Sequence, residues 1–313
     1  MLDVVDLTPL RRPDDAAARR VGDRLATTLA DHGFLRVVGH GADPALLMEL
    51  QRLAEQFFSL PVEVRASVAM DRFGAAWRGW FPVGGELTAG TPDAKEGLYL
   101  GLDLPATDPR VAAGRPLHGP NPELPVPGLR TAVDRWMAAA TEVGRTVLRG
   151  LAIGLGLPAD HFDTGWCADP VVLFRIFRYP AGDTEEDGVG PHTDYGLLTV
   201  LAQDGVDGLE VEHDGRWVAV PADPEVLVVN GGDMLQLASG GRFRPTRHRV
   251  RPPARDRLSF PLFLDPGWDV EVHADGHRTY GDYLSDRVSR VFPDLFARAV
   301  TGNDATSGDD GIS

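Results

Sequence analysis

Hydrophobic positions along this chain change their period near residue 170. Before that point helical spacing dominates. Val4 to Leu7 reads as a short strand, and Pro13-Asp14-Asp15 opens an amphipathic helix through about Asp31, with Gly33 where a C-terminal cap belongs. Phe34 to Val38 reads as a second strand. Asp43-Pro44 supplies an N-cap and a first-turn proline for a helix reaching about Phe58. A further helix is expected from Pro61 to about Met70. Phe73 to Pro127 is rich in Gly and Pro and reads as long irregular connections with a strand near Leu98 to Leu100. Val133, Met137, Ala140, Val143, Val147 and Leu151 then mark a long helix from Gly128 to about Leu155.

Beyond Pro170 the apolar runs are short and broken by turn residues. They are Val171–Tyr179, Leu197–Leu201, Gly208–Glu212, Trp217–Val220, Val226–Val229, Thr246–Arg251 and Leu258–Leu264, with turn signals at Asp214-Gly215 and Gly231-Gly232. Many short strands at regular intervals predict a β-sandwich or jelly roll. Tyr280 to Val300 reads as a closing helix and 301–313 as a disordered tail. The expected architecture is α+β and a single unit over 1–300. Its parts are a mainly helical and irregular region (1–127), a long helix (128–156), a jelly-roll core (170–266) and a closing helix (279–300).

Composition narrows the partners. A formal net charge of −15 disfavours nucleic acid, whose binders neutralise phosphates with Lys and Arg, and disfavours anionic membranes. No apolar run approaches the roughly 20 residues of a membrane span, and Met1-Leu2-Asp3-Val4 lacks the basic-then-apolar plan of a signal peptide. Cys167 is the single cysteine, which excludes an intrachain disulfide and a thiolate metal cage and makes a cytoplasmic setting the simplest expectation. Lys95 is the single lysine while Arg, Ala, Gly and Pro abound, a bias that fits a GC-rich genome. Nothing bears on oligomeric state.

The candidate chemistry lies in the strand-rich half. In Pro191-His192-Thr193-Asp194 the imidazole and carboxylate stand two residues apart, so an extended segment points both to one side. His248 can complete a set of two His and one carboxylate, which leaves open positions on an oxygen-activating Fe(II). Nine residues on, Arg257 and Ser259 share a strand face; a guanidinium fork with a neighbouring hydroxyl suits the carboxylate of an acidic co-substrate. Each piece has an ordinary structural explanation, and it is their ordered combination that points to this chemistry.

This run of His192-x-Asp194, His248 and Arg257-x-Ser259 resembles the isopenicillin N synthase-like family of Fe(II)/2-oxoglutarate oxygenases. Phe57-Phe58-Ser59-Leu60-Pro61, Arg78-Gly79-Trp80 with Asp93-Ala94-Lys95-Glu96, and Asn230-Gly231-Gly232-Asp233 extend the likeness over nearly the whole chain. The resemblance implies a double-stranded β-helix with flanking helices. It implies iron on His192, Asp194 and His248, 2-oxoglutarate anchored by Arg257 and Ser259, and O2 as oxidant. Tyr179 matches a co-substrate position. Phe177 stands where the common plant pattern has Asn, and Arg175 is expected to compensate. Phe263 and Arg178 are substrate candidates, and Trp77, Trp80 and the closing helix near Tyr283 and Phe292 are candidates for the pocket wall. Asn230 and Asp233 read as turn builders, while His40, His118, His213 and His273 carry no partner pattern. The implied reaction oxidises a C–H bond of a small molecule by hydroxylation, desaturation or ring closure, with bacterial natural-product metabolism as the expected context. An iron oxidase of the same fold that needs no keto acid, and a non-catalytic jelly-roll binding protein, stay open on sequence grounds.

Overall fold

A computed structural model describes residues 2–11, 15–88, 90–182 and 187–293. Strand β1 (Val4–Asp6), helix α1 (Asp15–His32) and strand β2 (Phe34–Val38) open the chain, followed by helices α2 (Pro44–Ser59) and α3 (Val62–Arg65). Strands β3 (Gly79–Phe81), β4 (Leu87–Thr88), β5 (Thr91–Pro92) and β6 (Glu96–Gly101) come next, then helices α4 (Pro109–Ala112), α5 (Leu129–Gly154) and α6 (His161–Thr164). The strand-rich half holds β7 (Pro170–Tyr179), β8 (Val189–His192), β9 (Leu198–Gln203), β10 (Leu209–His213), β11 (Arg216–Ala219) and β12 (Leu227–Gly231). Helix α7 (Asp233–Ala238), strands β13 (His248–Val250), β14 (Arg257–Gly267), β15 (Glu271–Ala274) and β16 (His277–Thr279), and helix α8 (Tyr280–Val291) complete it.

An eight-stranded sheet runs in the order β1-β2-β12-β9-β14-β7-β6-β3, and a four-stranded sheet in the order β11-β10-β13-β8. A cavity lined by residues of both sheets lies inside this jelly roll. The long strands β7 and β14 pair antiparallel, with Arg257 opposite Tyr179 and Ser259 opposite Phe177. Their β-branched, leucine and aromatic side chains suit a pleated surface buried on both faces. Helix α5 supports the large sheet from outside. At Gly144 an added Cβ would lie 2.9 Å from Leu264 of β14. Helix α1 lies against α5 where Gly22 meets Gly150 and Gly154; a Cβ on Gly154 would stand 2.3 Å from the Gly22 carbonyl oxygen. One hydrophobic cluster runs from Val5 through the α5 face to Phe292.

Several expectations needed correction. The helix expected from Pro61 to Met70 is only α3, followed by short 3-10 turns at Ala66–Val68 and Met70–Arg72. Ala69 is extended between those turns and forms a bridge to Trp80, a tertiary contact that local propensity does not record. The segment read as irregular contributes β3 to the large sheet as well as β6, which covers the strand expected near Leu98 to Leu100. Strand β8 was hidden because Val189-Gly190-Pro191-His192 has turn composition; it lies at a sheet edge, where a missing proline N–H is tolerated. The residues after Gly232 form α7 rather than a bare turn. The end of the expected closing helix (294–300) and the tail (301–313) lie outside the described residues, as does the opening Pro13-Asp14 of α1.

Candidate metal and co-substrate site

His192 ends β8 and His248 begins β13, and the two are cross-strand partners. Their ring centroids are 4.2 Å apart. Asp194 follows two residues later in the connection to β9, not on the strand itself, yet its Oδ1 lies 3.9 Å from Nε2 of His192 and 3.7 Å from Nε2 of His248. One ligand atom from each residue falls within 4.8 Å of the others. Nδ1 of His192 meets the Gly190 carbonyl at 2.9 Å, and Nδ1 of His248 meets that of Thr246 at 3.2 Å. A carbonyl only accepts, so each Nδ1 carries the proton and each Nε2 presents its lone pair to the centre.

Burial pushes the His248 imidazolium down to about 4, and His192 beside it adds to this against the pull of Asp194. The ring is therefore neutral near pH 7, the form a metal requires. Burial opposes ionisation of Asp194, but His248, His192 and the donors Thr199 and Asn230 outweigh it and hold the carboxyl below its ordinary range. Both donors reach Oδ2, Asn230 Nδ2 at 2.7 Å and the Thr199 hydroxyl closer still, which leaves Oδ1 for the centre. The loop bearing Asp194 is fixed by backbone bonds from Gly232 to Leu197, Asp233 to Asp194 and Met234 to Gly196. A Cβ on Gly232 would come within 2.5 Å of the Gly196 carbonyl oxygen, so this position needs glycine for the α7 turn to press against the loop.

The inward face of β14 carries Arg257 and Ser259 to another part of the same cavity. The Arg257 side chain is buried, with the residue 1% exposed. Its Nε donates to the Val206 carbonyl at 3.1 Å and its Nη2 to Oε1 of Gln203 at 3.0 Å, and the guanidinium lies over the Tyr179 ring at 4.9 Å. Nη1 has no hydrogen-bond partner among the described residues. A buried donor left without a partner is costly, and an anionic ligand would satisfy it.

The other expected residues divide. Tyr179, Arg175 and Phe263 line the cavity. Arg175 stacks on Tyr99 at 3.4 Å, gives Nη1 to the Leu100 and Phe174 carbonyls and stands 5.8 Å from the Phe263 ring. Arg178 is the correction. It is absent from the cavity wall, and its guanidinium pairs with Asp256 and with Glu96 at 2.7 Å, because the alternation of β7 turns it away from Arg175 and Tyr179. Trp77 and Trp80 are core residues outside the wall, Trp80 donating to Glu96, whereas Phe292 and Leu284 of the C-terminal region do line it. Tyr283 instead donates its hydroxyl to Asp233.

Sequence reasoning missed Asn230 as a partner of the carboxylate, along with Thr199, Gln203 and the buried cluster of Glu86, Lys95 and Tyr99. Period-two alternation along β9 was an available signal, since Thr199 and Gln203 share its inward parity with Leu201. In the cluster, Lys95 lies 2.9 Å from Glu86 and bonds Asp93. Burial works against its charge, but the two carboxylates overcome this and raise its pKa.

Comparison with known proteins agrees with this geometry. Residues 169–266 match the family model of the 2OG-Fe(II) oxygenase superfamily, and residues 2–124 match the N-terminal model of the non-haem dioxygenases in morphine synthesis. A Dictyostelium discoideum protein described as an iron/ascorbate oxidoreductase is 36% identical over 91% of this chain and 92% of its own. A 2-oxoglutarate-dependent dioxygenase of Didymella fabae is 31% identical over 86% of each chain. The crystal structure of a full-length Neurospora crassa protein in complex with alpha-KG superposes with a TM-score of 0.79 at 23% identity, covering 91% of this chain and 95% of that one. The chain thus belongs to the 2OG-Fe(II) oxygenase superfamily and is an Fe(II)/2-oxoglutarate-dependent dioxygenase that uses O2.

Proposed function

We propose that His192, Asp194 and His248 hold the iron, that Arg257 and Ser259 anchor the far carboxylate of 2-oxoglutarate, and that residues 1–300 work as one catalytic unit on a small organic molecule. The observation that carries this is the pairing of two unmet needs in one cavity. Two Nε2 lone pairs and a carboxylate oxygen converge in one place, and a buried guanidinium nitrogen with no hydrogen-bond partner among the described residues stands in another. The donor set is the hard, mixed N/O kind that suits Fe(II) with open positions.

Iron with O2 and 2-oxoglutarate supplies a two-electron oxidation, in which the keto acid is cleaved to succinate and CO2 while a substrate C–H bond is oxidised. The protein's contribution is placement. Asn230 and Thr199 hold Oδ2 of Asp194 so that its other oxygen faces the centre. Arg257, on the inward face of β14 with Tyr179 beneath its guanidinium, would hold the far carboxylate of the co-substrate. Arg175 is assigned to the co-substrate's keto-acid end, in place of the Asn that Phe177 replaces. Leu284, Val288 and Phe292 give the cavity an apolar wall that keeps water from the reacting carbon, and Phe263 lines the same cavity as a substrate contact. Hydroxylation, desaturation and ring closure are all within this chemistry. A role in bacterial natural-product metabolism, in the cytoplasm, rests on the GC-rich residue bias and the single cysteine.

The test is succinate formation by anaerobically purified protein given Fe(II), 2-oxoglutarate and O2, with and without candidate substrates. Succinate that requires both iron and keto acid and vanishes in His192→Ala supports the assignment. Substrate oxidation without succinate would favour the keto-acid-independent oxidase, and full activity in His192→Ala or Asp194→Ala would remove the iron assignment.

A further inference from the structure

Gln203 ends β9 and is 1% exposed, and its cross-strand partner on β14 is Ser259. Its Oε1 accepts from Nη2 of Arg257 at 3.0 Å. Chemistry fixes the amide's orientation, because a guanidinium has only donors and must face the carbonyl oxygen. The amide nitrogen is thereby turned away, and Nε2 is buried without a hydrogen-bond partner among the described residues. Gln203 and Arg257 thus each carry one unmet buried donor, Nε2 and Nη1, on neighbouring strands.

The adjoining carboxylate is handled differently. Asp204 follows Gln203 in sequence, yet its Oδ1 accepts from the Val206 N–H at 3.0 Å and its Oδ2 from the Leu258 N–H. It therefore braces the backbone around Arg257 rather than pairing with the guanidinium. Val206 in turn offers its carbonyl to Nε of Arg257. The groups that hold the guanidinium, namely a carbonyl, an amide oxygen and the Tyr179 ring, do so without a formal negative charge.

Resting on the co-substrate anchor described above, we propose that Gln203 is a positioning residue for 2-oxoglutarate. It holds Arg257 in the one rotation that leaves Nη1 free, and does so without placing a carboxylate in direct contact with the guanidinium. A glutamate of the same shape would make the same contact but neutralise the guanidinium and compete with the co-substrate. A leucine would let the fork turn.

The experiment is anaerobic titration of 2-oxoglutarate into Fe(II)-loaded protein, followed by calorimetry and by the absorption of the iron–keto-acid chelate, for wild type, Gln203→Glu, Gln203→Leu and Arg257→Ala. Pyruvate, which lacks the far carboxylate, is titrated in parallel. The expected result is that Gln203→Glu weakens 2-oxoglutarate at least ten-fold and Gln203→Leu several-fold, with pyruvate affinity unchanged in both. A loss of pyruvate affinity equal to that for 2-oxoglutarate would overturn the proposal, since it would report general damage to the cavity. Wild-type affinity for 2-oxoglutarate in Gln203→Glu would overturn it as well. If Arg257→Ala weakens 2-oxoglutarate while Gln203→Glu does not, only the role of Gln203 fails; if Arg257→Ala binds normally, the anchor itself fails.

Discussion

Asn230 Nδ2 donates to Oδ2 of Asp194 over 2.7 Å, on the same oxygen that receives the Thr199 hydroxyl. Two donors on one oxygen orient the carboxylate and leave its other oxygen nearest both histidines. Partners of this kind, one bond removed from a metal, typically contribute about 10- to 100-fold in affinity. Asn230→Ala is expected to weaken Fe(II) or Mn(II) binding by about that factor. Metal titration of the anaerobic protein measures it, and affinity equal to wild type would show that Thr199 alone suffices.

Arg178→Ala separates the pocket from its surroundings. Its guanidinium joins exposed Asp256 to buried Glu96, which keeps Arg65 and Trp80 as further partners. The expected outcome is a stability loss of about 1 kcal/mol, the scale of a partly exposed ion pair, with 2-oxoglutarate affinity and succinate yield per folded molecule retained. Chemical denaturation and the succinate assay check the two halves. Loss of turnover at full stability would return Arg178 to the substrate site.

The strands β7, β9, β12 and β14 were legible because their apolar runs end at turn residues, and the site motifs were legible because residue type and order carry the chemistry. What escaped depends on contacts distant in sequence. Asn230 reads as a turn former beside two glycines, and only the pairing of β12 with β9, which sets Asn230 opposite Thr199, reveals that both face Asp194. Arg178 was misplaced for the opposite reason: period-two alternation along β7 already excludes it from the face of Arg175 and Tyr179. The edge strand β8 hid behind Gly190 and Pro191, whose composition signals a turn wherever no neighbouring strand is known.

Gly97 tests how tightly the cavity is backed. It sits opposite Phe177 on the neighbouring strand, and an added Cβ would lie 2.5 Å from Cε1 of Phe81 and 2.8 Å from Cδ1 of Phe177. Both rings are buried, and Phe177 lines the cavity. Gly97→Ala is expected to cost about 1–3 kcal/mol, as overpacking of a closed core does. A thermal melt reads the loss, and an unchanged Tm would mean that the rings move aside freely.

Asp265 should give the fold a specific pH dependence. Burial pushes its carboxyl up to about 7, the Tyr280 hydroxyl opposes this and the charge of Asp194 reinforces it. Tyr280 donates to Oδ2 at 2.6 Å and the Leu197 N–H also faces the carboxylate, yet burial prevails. Because the folded pKa is raised, the native state keeps a proton that the unfolded chain releases near pH 4. The unfolded state then binds fewer protons between pH 4 and about 7, so this group's contribution to stability falls as pH rises through that window, by at most about 1.4 kcal/mol per unit. Asp265→Asn cannot ionise and its amide oxygen can still accept from Tyr280. Measured on metal-free protein by denaturation at pH 5, 6 and 7, the stability difference between Asp265→Asn and wild type should therefore grow in favour of the variant as pH rises. A difference that is constant with pH would show that Asp265 titrates in the folded protein as it does in the unfolded chain.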